Sequence, residues 1–186
     1  MNGRELEVKY ATDLSLDKFV SLVKSKYTKP TLEKHIAFDT DWYYKNAEGI
    51  TVRHRYATDG LHELTVKSRD GNYEKRDEFN IDLGPNDTNL IASWMQCAGF
   101  VPEFYFDKEL YVFNFEHFQI AYYEVKNTPF KFIEIEYLGS DTCENTIILK
   151  LHGIADSLGL TENVNRSIYN MYKEYHNEIS KDPTRN

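Results

Sequence analysis

The sequence predicts an α+β fold built on an eight-stranded antiparallel β-barrel, closed into a tunnel, with helices packed outside. Three observations predict it. Extended, alternating segments recur along the chain and are joined by hairpin-type turns such as Asp59-Gly60 and Asp70-Gly71, which makes antiparallel neighbours the natural arrangement. Tyr and Phe number 14 and 11 among 186 residues, and both favour strands. Charges also sit two residues apart inside these segments, in Glu5-x-Glu7-x-Lys9, Arg53-x-Arg55, Glu63-x-Thr65-x-Lys67, Arg76-x-Glu78 and Glu134-x-Glu136. A strand sends alternate side chains to opposite faces, so each segment carries its charges on one face. An antiparallel sheet of about eight strands can close on itself and remove its edges.

The elements follow in order. Residues 4–11 form the first strand. Asp13 or Ser15 caps a helix over 15–26, with Leu16, Phe19, Val20, Leu22 and Val23 along one stripe. Pro30 ends it. Residues 33–45 are extended, Ala47-Glu48-Gly49 turns, and 50–57, 61–68 and 73–83 are strands joined by the two hairpin signals. Gly84-Pro85-Asn86-Asp87 breaks the sheet and starts a helix over 88–98. The stretch 100–138 is rich in Phe and Tyr, with turns at 114–116 and at Asn127-Thr128-Pro129. Asp141 or Thr142 caps a helix that runs to about residue 158 and ends at Gly159. A last helix spans 163–179, with Ile168, Met171, Tyr172 and Tyr175 on one side. Residues 1–180 read as a single domain and 181–186 as a flexible tail.

A formal net charge of −8 argues against a nucleic-acid polymer as partner, since that needs a basic face. It leaves room for a small anion in a local basic pocket. The two cysteines, Cys97 and Cys143, are too few for a disulfide framework or a zinc knuckle and read as small buried hydrophobes. No apolar run has membrane-span length, and Glu5, Glu7 and Lys9 interrupt any signal-peptide core. A cytoplasmic protein without a membrane partner is the default reading, and a homodimer is compatible with it.

Any one of the charge pairs, taken alone, reads as the solvated face of an antiparallel sheet. Together they read differently. Their opposite faces are apolar: Leu6, Val8 and Tyr10; Leu64 and Val66; Phe79 and Ile81; Ile133, Ile135 and Tyr137. Amphipathic helices are available to cover those faces from outside, which leaves the lumen to the charges. A charged lumen is costly to desolvate unless something charged binds in it. Carboxylates on the first strand and on a late strand suit a hard divalent cation. Arg and Lys on the middle strands suit phosphate oxygens. A polyanion held by Arg and Lys and bridged to carboxylates by Mg²⁺ is the chemistry of a triphosphate.

With those residues in view, the chain resembles the triphosphate tunnel metalloenzymes, the CYTH superfamily, over roughly residues 3–175. That group includes thiamine triphosphatases, inorganic triphosphatases and class IV adenylyl cyclases. The carrying motif is the N-terminal E-x-E-x-K at Glu5, Glu7 and Lys9, followed in order by Arg53 and Arg55, Lys67, Arg76 with Glu78, and Glu134 with Glu136. The resemblance implies a Mg²⁺ or Mn²⁺ requirement and a small-molecule triphosphate partner. It implies metal-side roles for Glu5, Glu7, Glu134 and Glu136, with Glu78 either joining a metal or holding an Arg in place. It implies phosphate-side roles for Lys9, Arg53, Arg55, Lys67 and Arg76, and more weakly for Lys108. Lys9, Glu5 and Glu7 would be catalytic, Lys9 by contacting the transferred phosphoryl group or orienting the attacking water. Balancing ion pairs within the lumen is the plainer alternative for every one of these residues.

The chain departs from that pattern in places. Asn80 stands where a second acid often follows R-x-E. The sixth strand has Lys108 between Phe106 and Leu110 instead of a K-x-R pair. Glu124 stands where the family usually has Asp and reads equally as a surface acid. The late R-S-Y segment reads Arg166-Ser167-Ile168, with Tyr169 one place late. His54 lies opposite Arg53 and Arg55 and reads as structural. Tyr43, Tyr44, Tyr122 and Tyr123 suit either stacking on a base or thiazole or, more commonly, packing. Metal-dependent hydrolysis of a triphosphate ranks first, cyclisation of ATP to cyclic AMP second, and binding without turnover third.

Overall fold

The computed structural model describes residues 2–67, 73–85, 88–140 and 143–179. Eight strands form one closed barrel: β1 (Asn2–Ala11), β2 (Leu32–Lys45), β3 (Thr51–Ala57), β4 (His62–Lys67), β5 (Lys75–Asp82), β6 (Val101–Asn114), β7 (Phe118–Val125) and β8 (Lys131–Tyr137). Around the barrel the order is β1-β5-β4-β3-β2-β6-β7-β8, and β1 also pairs with β8. Every neighbour pair is antiparallel. Two meanders, β2–β5 and β6–β8, are thus joined on one side by β2 against β6 and on the other by β1. Closure leaves the barrel no open edge. Gly60 sits at φ +92 in the turn between β3 and β4, a conformation that costs glycine little and an L side chain much.

Four helices lie outside: α1 (Leu16–Lys26), α2 (Thr88–Cys97), α3 (Glu144–Ser157) and α4 (Ile168–Ile179). Ser15 is at the N-cap position of α1, but its side chain makes no capping bond. Phe19 and Val23 of α1 and Ile147 and Leu151 of α3 pack on Leu6, Val8, Tyr10, Ile120, Ile133 and Ile135 of the sheet's outer face. Phe19, Val23, Ile120, Ile133 and Ile135 are wholly buried, and each such side chain contributes about 1.5–3 kcal/mol. Ile91 and Met95 of α2 cover Tyr44, Val52 and Leu64. Ile168, Met171 and Tyr172 of α4 lie against a cluster of Tyr43, Phe106, Tyr123, Val125 and Phe132. Gly159, at φ +74, follows α3, and Leu160 N–H bonds back to Ala155 O.

The expected elements are all present, with ends shifted by a few residues. The last helix begins at Ile168, later than the sequence pattern indicated. The Asp70-Gly71 turn, the Asn86-Asp87 and Asp141 or Thr142 caps and the 181–186 tail lie outside the described residues. Two expectations are corrected. Phe79 and Ile81 are not covered by a helix and are 48% and 59% exposed, because α2 reaches β2, β3 and β4 but not β5. Cys97 and Cys143 are exposed, not buried. Cys97 ends α2 away from the Ile91–Met95 face, and Cys143 precedes the first turn of α3. No helix among the described residues is long and apolar enough to cross a membrane.

Candidate functional site

The barrel encloses a cavity of about 440 Å³, lined by Glu5, Glu7, Lys9, Arg53, Arg55, Lys67, Arg76, Glu78, Lys108, Glu134 and Glu136. Every residue singled out in the sequence for metal or phosphate, Glu124 excepted, therefore faces the same space. Strand register explains the gathering. Glu7 sits opposite Glu136 and Lys9 opposite Glu134 across β1 and β8. Glu5 sits opposite Arg76 across β1 and β5, and Lys67 opposite Glu78 across β4 and β5. Spacing by two keeps each pair on the inward face.

On the β1, β5 and β8 side, acids outnumber bases. Arg76 Nη2 bonds Glu7 Oε1 and lies 3.6 Å from Glu5 Oε2. Lys67 Nζ donates to Glu5 at 2.8 Å and reaches Glu78 at 2.8 Å. Lys9 Nζ lies 2.9 Å from Glu134 Oε1, which also accepts from the Tyr123 hydroxyl at 2.9 Å. Among the described residues Glu136 has no cation to itself; Gln119 Nε2 stands 3.5 Å away. Burial, with the Glu7 charge added, raises the Glu136 carboxyl to about 7. Glu5 is likewise pushed up by burial and by Glu7, more than Lys67 offsets. Burial also opposes ionisation of Glu134, but Lys9, Lys67 and the Tyr123 hydroxyl together outweigh it and lower that carboxyl. Glu78 is held well below the usual range, with Lys67 and Arg53 outweighing burial.

On the β2, β3 and β6 side the sequence reading missed two acids. Asp39 and Asp41 are each 1% exposed and point inward. Arg55 donates to both oxygens of Asp41, Nε at 2.7 Å and Nη2 at 3.1 Å. Lys108 Nζ lies 2.8 Å from Asp41 and 3.3 Å from Asp39, and Arg55 Nε lies 3.4 Å from Asp39. Burial alone would raise Asp41, but Arg55, Lys108 and Arg53 carry it far below the normal range. Arg53 Nη2 donates to Thr65 Oγ1 at 2.9 Å and approaches Glu63 at 3.4 Å. The signal was available, since Asp39-x-Asp41 has the same spacing of two as the other pairs. Phe38, Trp42 and the two tyrosines that follow made the segment read as aromatic packing.

The remaining positions divide by strand face. Glu124 points away from the lumen and bonds the Tyr122 hydroxyl at 3.1 Å and Lys131 at 3.3 Å. Tyr44 and Tyr122 pack against helices, whereas Tyr43 and Tyr123 line the cavity. Asn80 accepts from Thr65 at 2.7 Å and donates to Glu78 at 2.6 Å, so it positions that acid. Ser167, Ile168, Tyr169 and Asn170, where α4 begins, also line the cavity. His54 is buried on the outer face and contacts His62 through the two Nε2 atoms at 2.7 Å. His62 Nδ1–H donates to Gly84 O, so its Nε2 accepts from His54.

Among the described residues no three carboxylate, His or Cys side chains converge into a ready coordination group. The lumenal acids are drawn instead towards Arg76, Lys67 and Lys9. Two like charges directly opposite on paired strands repel, and Glu7 and Glu136 are such a pair. Elevation of Glu136 by burial and by Glu7 marks a place where added positive charge is favoured.

No family model and no curated protein sequence matches the chain. Solved structures do match. A Vibrio parahaemolyticus protein carrying the provisional name adenylate cyclase has a TM-score of 0.75 at 18% identity, covering 93% of this chain and 99% of its own. A chain of the Schizosaccharomyces pombe Mediator head module has a TM-score of 0.58 at 12% identity, covering 84% and 95%. The RNA triphosphatase domain of a mimivirus mRNA capping enzyme has a TM-score of 0.53 at 13% identity, covering 83% and 88%. The chain thus has the triphosphate-tunnel fold, the fold that its sequence resemblance implied. A shared fold does not by itself assign a reaction.

Proposed function

We propose that the protein is a metal-dependent hydrolase of a small triphosphate, which cleaves the terminal phosphoanhydride inside the barrel. One observation carries this reading: six cations, Lys9, Arg53, Arg55, Lys67, Arg76 and Lys108, face an enclosed cavity from five different strands. Positive side chains converging from so many directions suit a compact polyanion, and Arg supplies paired donors to its oxygens. Names borne by two fold neighbours, a triphosphatase and a provisional adenylate cyclase, support the same ligand chemistry.

The carboxylates on the other side suit a hard divalent cation, Mg²⁺ or Mn²⁺, which prefers oxygen ligands. Glu5, Glu7, Glu134 and Glu136, with Glu78 beside them, are the residues that would hold it. Such a cation, when bound, supplies charge stabilisation to phosphoryl oxygens and favours ionised water. For the protein's own part, Lys67 and Arg76 exchange their carboxylate partners for phosphate oxygens. Lys9, 2.9 Å from Glu134, is placed to meet the transferred phosphoryl group. Arg53 donates to charge on the leaving diphosphate. Water attacks the terminal phosphorus, the bridging P–O bond breaks, and a lumenal carboxylate such as Glu136 takes the proton from that water.

The neighbour's provisional cyclase name supports a second reading, in which the ribose 3′-hydroxyl of ATP attacks the α-phosphorus. The test is incubation with ATP, tripolyphosphate and thiamine triphosphate, each with Mg²⁺ or Mn²⁺. Phosphate release is the expected result. Cyclic AMP with pyrophosphate would favour the cyclase, and tight binding without products would leave a binding protein.

A further inference from the structure

The lumen is two-sided. Strands β1, β2, β3, β4, β5 and β8 supply most of its charges, whereas β6 and β7 present Phe106, Leu110, Val112, Ala121 and Tyr123 to the same cavity, with the amide of Gln119 at one end beside Glu136. Lys108 is the only charged side chain those two strands contribute among the lining residues. It is engaged by Asp41 and Asp39, and its ammonium lies 5.6 Å over the Tyr123 ring. Tyr123 spends its hydroxyl on Glu134. Leu110, Val112 and Ala121 have no side-chain donor to offer.

An inorganic triphosphate carries charge along its whole length. If it filled this cavity, the oxygens turned to Leu110, Val112 and Ala121 would lose water and gain no donor there, which is strongly unfavourable. If it stayed on the charged strands, the apolar wall would face water. A molecule with a triphosphate at one end and an apolar-faced ring system at the other satisfies both sides, in the way ligand pockets combine apolar walls with a few polar anchors.

We propose that the β6–β7 wall seats the organic part of the substrate, with Leu110 and Val112 as specificity-determining residues, so that the tunnel selects organic triphosphates over inorganic tripolyphosphate. The inference rests on the lumen being a triphosphate site. Leu110 is where discrimination is set, because a basic residue there would complete the ring of cations around an inorganic chain.

The test is isothermal titration of the whole protein, in Mn²⁺, with the β,γ-imido analogue of ATP and with the corresponding imido analogue of inorganic triphosphate. The wild type is expected to favour the nucleotide analogue by about tenfold or more, a discrimination within reach of an apolar pocket. Leu110→Lys is expected to reverse the order by strengthening the inorganic ligand. Leu110→Gln, a milder change should the lysine variant fold poorly, is expected to narrow the ratio. Equal binding of both ligands, tighter binding of the inorganic one, or a ratio unmoved by both substitutions would overturn the assignment of the wall and leave the triphosphate site standing. Absence of binding by either ligand would remove the triphosphate reading, and this inference with it.

Discussion

Two clusters of ionic side chains share one barrel, and their balance differs. On the β2, β3 and β6 side, Asp39, Asp41 and Glu63 of β4 meet Arg53, Arg55 and Lys108, three against three. On the β1, β5 and β8 side, Glu5, Glu7, Glu78, Glu134 and Glu136 meet Lys9, Lys67 and Arg76, five against three. The balanced cluster is already neutral and deeply buried, so its cations are held by carboxylates before any ligand arrives. The unbalanced one holds Glu136 raised to about 7, so it is charged only at a cost and is relieved by a cation. The two clusters thus line one lumen but differ in how strongly they call for added positive charge.

The largest effect expected from this contrast is on stability, at the balanced end. Arg55→Ala leaves Asp39 and Asp41, each 1% exposed, short of their main partner. Stranding a buried charge costs about 3–5 kcal/mol, to be read as a lower urea midpoint at unchanged slope. A loss below about 1 kcal/mol, the scale of exposed pairs, would break the comparison.

At the unbalanced end the effect falls on turnover. The double variant Glu5→Gln with Glu7→Gln is expected to keep its fold and lose about a hundredfold or more in kcat at saturating Mn²⁺, a typical scale for removing charge stabilisation from a transition state. Turnover that survives the double change would show that these acids only balance Arg76 and Lys67. Glu136→Gln sharpens the point in the metal-free protein. Removing a carboxylate that burial and Glu7 disfavour should raise Tm by about 3 °C at pH 8, the shift for about 1 kcal/mol in a chain of this size. It should also blunt the gain from Mn²⁺.

The same excess has a pH signature. A carboxyl whose folded-state pKa is raised, as for Glu5 and Glu136, favours the fold in acid. That contribution is lost as pH climbs from the unfolded value through the folded one, near 7 for Glu136. Cation binding opposes the loss because it requires the ionised carboxylate. Mn²⁺ should therefore raise Tm more at pH 8 than at pH 6. An equal rise at both would contradict the acid excess as its source.

The smallest effect lies outside the lumen. His54, neutral and donating to His62, has its pKa lowered to about 4 by burial and by that neighbour. A depressed base is charged first in the unfolded chain. Stability should thus fall as pH drops from about 6.5, the free imidazole value, to about 4. The contribution is absent above that window. Comparing wild type with His54→Leu across it isolates this part from the carboxylates, and an identical pH profile for the two would exclude it.

Much of this arrangement is legible in the chain because a period of two fixes a face. Arg53 with Arg55, and Glu134 with Glu136, stand among residues whose neighbours are plainly apolar, so their direction follows once the barrel closes. Asp39 and Asp41 obey the same rule, yet aromatic residues occupy both faces of β2 and conceal it: Trp42 outside, Tyr43 inside, Tyr44 outside under α2. The apolar wall escaped notice for the same reason. β6 and β7 are hydrophobic on both faces, with Val112 inward and Phe113 outward, so alternation gives no phase. Exposure of Phe79 and Ile81 depends on where a helix lands across the sheet, which is long-range information that local pattern does not carry.

Anomalous scattering from crystals grown with Mn²⁺ and a non-hydrolysable nucleoside triphosphate tests the acid excess most directly. The expected result is a manganese peak inside the barrel within coordination distance of Glu7 and Glu136, with phosphate oxygens reaching from it towards Lys67 and Arg76. Manganese ordered only on the outer surface, with Glu7 still on Arg76 and the lumen free of phosphate, would contradict it.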